Sequence, residues 1–150
     1  MTSARTSDCL DDSVLNGLRD WCAMRPVKLC VLFGSQATGR ARADSDVDLA
    51  IWADEAPDFR TRMRWLGELV DLTGREVSLV FVTADTNPVL GWEIVRNGLP
   101  VFEREPGLWR HHWVQRWHVY NDALPFRRAQ AEALRKFAEE HQYGAGSDQA

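Results

Sequence analysis

The chain has 150 residues, 45% of them hydrophobic, and carries a net charge of −4. That length fits one domain able to bury a core without disulfides or a structural metal, and the acidic balance argues against nonspecific nucleic-acid binding by the whole molecule. Cys9, Cys22 and Cys30 show no C-x-x-C spacing, no run approaches the roughly 18 uncharged apolar residues of a membrane span, and the polar start lacks a signal-peptide core. A reducing cytoplasm is therefore expected, with no membrane association, zinc knuckle or disulfide framework.

Taken in chain order, residues 11–24 place Val14, Leu15, Leu18, Trp21 and Cys22 at helical spacing ahead of Pro26, which predicts a first amphipathic helix. Residues 27–33 (VKLCVLF) form a short apolar, β-branched run closed by Gly34, and residues 47–52 (VDLAIW) repeat the pattern with Asp48 inside it. Residues 57–73 read as a helix with Pro57 near its start and Gly74 past its end. A third strand is expected over 76–82, a helix over 89–96 and a short strand over 99–103. From Pro106 the chain is helical, with Trp109, Trp113, Trp117, Tyr120 and Leu124 in one stripe and Pro125 set to kink or split the helix. The expected fold class is α/β (α+β): a small mixed sheet covered by helices, with a long C-terminal helical segment.

Between the first two strands stands Gly34-Ser35, then ten residues, then Asp46-x-Asp48. Gly34 lets the backbone approach a bulky anion, and Ser35 adds a hydroxyl and a backbone N–H at a helix start. Strand alternation sends Asp46 and Asp48 to the same face, close enough to share a hard cation that relieves their mutual repulsion. A phosphate cradle facing paired carboxylates suits metal-assisted phosphoryl or nucleotidyl transfer. Asp44, Asp46, Asp48 and Glu55 also fall on EF-hand ligand positions, but Leu49 stands where that loop needs glycine and an apolar strand follows. His111, His112 and His118 read as helix-surface histidines rather than metal ligands, and the tryptophan stripe as packing shared between core and a partner surface.

The pattern Gly34, Ser35, Gly39, Ser45, Asp46, Asp48 and Leu49 resembles the minimal nucleotidyltransferases of the DNA polymerase beta superfamily. The likeness extends over roughly residues 10–135, through residues 74–80, the 93–103 region and the aromatic C-terminal helix, and is nearest to the antitoxin of HEPN/MNT toxin–antitoxin pairs. It implies a polymerase beta-like fold, Mg²⁺ as cofactor held by Asp46 and Asp48, and ATP as substrate bound by Gly34, Ser35 and Ser45. It also implies a HEPN ribonuclease toxin as partner in a hetero-oligomer, neutralised by AMP transfer from ATP to a toxin tyrosine, with no direct nucleic-acid binding. Gln36 and Thr38 stand where many members carry two arginines, which leaves Arg40 and Arg42 to neutralise the triphosphate. Ser78 stands where the family usually supplies a third catalytic carboxylate, and Glu76, two residues earlier on the same strand face, is the substitute candidate. The alternative is a catalytically weakened module of the same fold that neutralises its partner by binding alone. The expected organisation is a nucleotidyltransferase core over 10–105, a helical extension over 106–141 packed on the core or the partner, and disordered tails at 1–9 and 142–150. From Arg96 to Lys136, eight Arg or Lys against four Asp or Glu mark the extension as locally basic.

Overall fold

The computed structural model of the chain describes residues 10–39 and 45–147, with side chains as far as His141. Helix α1 is Asp12–Ala23; the Asp11 carboxylate caps it by accepting from the Val14 N–H at 2.8 Å. Strand β1 (Val27–Phe33), the single-turn α2 (Ser35–Thr38) and strand β2 (Val47–Ala53) follow. Helix α3 (Phe59–Thr73) starts two residues later than the sequence pattern suggests, because Asp58 takes the N-cap position and accepts from the Thr61 N–H. Strand β3 is Val77–Phe81, α4 is Pro88–Arg96 with Asn87 as its cap, and β4 is Leu99–Glu103.

The four strands form one mixed sheet in the order β3-β2-β1-β4, with β1 antiparallel to both β2 and β4, and β2 parallel to β3. Helices cover both faces, so the strands read as continuous apolar runs rather than as clean alternation. On one face, Leu18, Trp21 and Cys22 of α1 and Trp65 and Leu69 of α3 pack on Cys30, Leu32, Val47, Leu49 and Ile51. On the other, Ile94 and Val95 of α4 pack on Leu29, Val31, Ala50 and Trp52. Cys22 and Cys30 are buried free thiols, and the Cys30 thiol is pushed up by its hydrogen bond with Cys22 and by burial.

The C-terminal segment divides at Ala123, two residues ahead of Pro125, into α5 (Leu108–Asp122) and α6 (Leu124–Ser147). Pro125 is the second residue of α6, where the missing N–H has no intrahelical acceptor to lose. The tryptophan stripe is divided between two roles. Trp109 and Trp113 pack against the α4 face of the core, and Trp92 of α4 holds both the Trp113 ring (5.2 Å) and the Tyr120 ring (5.6 Å). Trp117 stays 42% exposed, as do Phe126, Leu134 and Phe137 of α6 to a greater degree. Arg116 lies buried against α4, its stem occupying the space a Cβ at Gly91 would need. Helix α6 reaches Ser147, which takes in the first six residues of the expected 142–150 tail, while 1–9 and 148–150 lie outside the described residues.

Candidate nucleotide site

Strand β1 ends in a turn that only glycine permits. Gly34 has φ 72°, and a Cβ built there would run into the Asp48 carboxylate oxygen Oδ2. The contact follows from the sheet: Phe33 pairs with Asp48, so the residue after Phe33 passes directly over the Asp48 side chain. The amides of Ala37 and Thr38 both donate to the Gly34 carbonyl, which winds α2 tightly over the end of β1.

Asp46 is exposed just ahead of β2, and Asp48 is half-buried within it. Alternation puts both on the α4/α5 face together with Ala50 and Trp52. Burial pushes the Asp48 carboxyl above its ordinary value, and the Asp46 charge pushes it further in the same direction. A carboxyl whose ionisation is disfavoured by burial and by a neighbouring acid fits a hard cation held between the two.

Strand β3 brings the remaining candidates alongside. Ser78 lies opposite Asp48 in the parallel register, on the same face and exposed. The Glu76 carbonyl accepts from the Val47 N–H at 2.8 Å, which sets Glu76 beside Asp46. Among the described residues no three His, Cys, Asp or Glu side chains converge on one point, so Glu76 does not join Asp46 and Asp48 in a ready-made triad. Ser35 opens α2, and Ser45 precedes Asp46 on the segment entering β2. Arg40 and Arg42 lie outside the described residues.

A positioning residue escaped the sequence reading. Gln36 is 4% exposed, and its Nε2 donates to the Ser45 carbonyl at 3.4 Å, bracing the Gly34–Ser35 turn against the segment that carries Asp46. An uncharged amide of that length spans the gap, and nothing in the local pattern distinguishes it from a surface glutamine. The histidines take no part here. His112 packs against the Trp52 ring at 5.4 Å and is held toward its neutral form by burial and by His111. His111 and His118 line an open groove of about 580 Å³ on the outer side of α5, with Val114 and Val119.

The family described as Polymerase beta, Nucleotidyltransferase matches residues 18–107. No curated protein sequence matches the chain. Among solved structures, a toxin–antitoxin crystal structure with AMP-PNP is 21% identical, with a TM-score of 0.72 over 81% of this chain and 98% of that one. The MntA-HepT toxin–antitoxin is 19% identical, with a TM-score of 0.69 over 83% and 99% of the two chains. A tri-AMPylated Shewanella oneidensis HEPN toxin in complex with its MNT antitoxin is 19% identical, with a TM-score of 0.67 over 81% and 96%. At these identities the likeness is one of fold, and it extends past the family match into the C-terminal helices.

Proposed function

The chain belongs to the polymerase beta nucleotidyltransferase family, and on that footing we propose that it is an Mg-ATP-dependent antitoxin that transfers AMP to a tyrosine of a HEPN ribonuclease toxin. The observation that carries the reading is the seat of Asp48: its carboxylate fills the space of a Gly34 side chain, beside Asp46 and in register with Ser78. The AMP-PNP-bound and AMPylated toxin–antitoxin neighbours support the choice of nucleotide and partner.

Asp46 and Asp48 would hold Mg²⁺, and Gly34 and Ser35 would bring backbone and hydroxyl groups to the phosphates. Bound there, the ion neutralises phosphate oxygens and makes the α-phosphorus more electrophilic. In the transfer the tyrosine oxygen forms a bond to the α-phosphorus, the bond to the β-phosphate oxygen breaks, and pyrophosphate leaves. The tyrosine proton goes to solvent or a base, and Ser78 is a poor base at neutral pH. The toxin would dock along the exposed apolar residues of the C-terminal helices, Trp117, Phe126, Leu134 and Phe137.

A second reading rests on Ser78 itself. With a neutral hydroxyl opposite Asp48 and no third acid converging among the described residues, the fold would neutralise its partner by contact alone. Incubation of the co-purified complex with Mg²⁺ and α-labelled ATP separates the two. Label and an added AMP mass on the partner tyrosine support transfer; tight complex formation with no added mass supports binding alone. Absence of any HEPN-type partner in the purified complex would overturn both.

A further inference from the structure

The described part of the site is short of positive charge. Residues 34–38, Asp46, Asp48, Glu76 and Ser78 include three carboxylates and no lysine or arginine. A triphosphate beside those acids draws protein cations as well as metal, and besides Arg40 and Arg42, which lie outside the described residues, the fold offers one from another element.

The sheet order shows where one stands. Strand β1 lies between β2, which carries the aspartates, and β4, and Leu32 pairs with Leu99 only two residues after Asn97. The end of α4 therefore arrives beside α2, on the side away from β2. Between them is a polar cavity of about 530 Å³ lined by Ala37, Thr38, Arg96 and Asn97. Arg96 is the cation among those lining residues. Its partner Glu93 is 3.7 Å away within the same helix, and both side chains are more than half exposed, so the pair is weak and easily exchanged for a stronger anion.

We propose that Arg96, assisted by the Asn97 amide, receives the phosphate tail of the nucleotide in this cavity, with Thr38 as its opposite wall. The inference rests on the nucleotide reading above and assigns the tail of the triphosphate to the α4 side of the turn. A guanidinium on phosphate oxygens makes charge-assisted hydrogen bonds, and losing such bonds costs roughly 10- to 100-fold in affinity.

Calorimetry on the co-purified complex tests it with Mg-ATP, Mg-AMP and inorganic triphosphate. Arg96→Ala should weaken Mg-ATP and triphosphate by about that factor, leave Mg-AMP nearly unchanged and leave the melting temperature in place. Thr38→Arg added to Arg96→Ala should recover Mg-ATP affinity, because a guanidinium from that wall enters the same space. Wild-type Mg-ATP affinity in Arg96→Ala, or an equal loss for Mg-AMP, overturns the assignment while leaving the nucleotide reading intact. Loss on Arg40→Ala or Arg42→Ala but not on Arg96→Ala overturns it equally. If wild type binds neither Mg-ATP nor triphosphate, both readings fall.

Discussion

On the α1/α3 face of the sheet, polar groups near the core have partners. Glu68 accepts from Trp21 Nε1 at 2.8 Å and from Arg25 Nη2 at 2.7 Å, joining α1 to α3. Arg104 donates to the carbonyls of Val27 at 2.8 Å and Arg25 at 2.7 Å, satisfying backbone acceptors where α1 turns into β1. On the α4/α5 face, Arg116 is 4% exposed with Nε and Nη1 unbonded among the described residues, Asp48 is raised by burial and by Asp46, and Ser78 stands exposed at the sheet edge. Uncompensated charge is costly wherever it is buried. One face is thus built for stability, and the other tolerates electrostatic cost on the side where the proposed nucleotide site lies.

The largest effect expected from this contrast lies on the ligand face and in rate. Ser78→Asp should accelerate AMP transfer in a single-turnover assay, since general-base assistance is worth typically about 10² to 10⁴. Glu76→Gln should do little, because Glu76 sits beside Asp46 rather than opposite Asp48. A large loss on Glu76→Gln, with Ser78→Asp silent or harmful, would move the base to Glu76.

Next comes the stability face. Leu69→Ala removes a fully buried side chain from the α1/α3 core and should cost about 2–5 kcal/mol by denaturant unfolding. Nucleotide affinity of the folded protein should not change, because α3 lies across the sheet from the aspartates. A nucleotide-binding defect at temperatures where the variant is folded would break the division between the faces.

Arg116→Met should behave in the opposite way. Replacing a buried guanidinium whose Nε and Nη1 lack hydrogen-bond partners among the described residues with an apolar chain of similar length is expected to leave stability within about 1 kcal/mol of wild type or to raise it. A loss of several kcal/mol in thermal or urea unfolding would mean that Arg116 is paired in solution.

The smallest effect is the pH dependence of Asp48. Its carboxyl is raised in the fold, so its contribution to stability is present below the unfolded value of 3.8 and is lost as pH rises through the folded value. Without divalent cation, Asp48→Asn should therefore melt at or slightly above wild type near neutral pH, with the gap closing toward about pH 4. The same variant should lose Mg²⁺-dependent nucleotide binding. A lower melting temperature at neutral pH would show that ionised Asp48 stabilises the apo fold.

The sequence by itself determined the elements whose signals are local. Residues 27–33 and 99–103 match β1 and β4 residue for residue, because apolar runs are stopped by Gly34 on one side and preceded by Asn97-Gly98 on the other. Pro125 splits the last helix for a steric reason confined to its own ring. Gly34 and Asp46 were legible as candidates from the Gly-Ser and Asp-x-Asp spacing between two apolar strands, and Asp48 because a carboxylate inside an apolar strand needs a reason to be there. What only the tertiary structure decided depends on pairing between segments far apart in the chain. The β3-β2-β1-β4 order, the parallel register that sets Ser78 opposite Asp48, and the division of the tryptophan stripe between the α4 contact and solvent are of this kind. So are Gln36, whose amide matters only because Ser45 returns beside it, and Arg96, which stands next to Thr38 only because β4 pairs with β1. Periodicity reports which face a residue shows to its own element, whereas a site is made by what another element brings to that face.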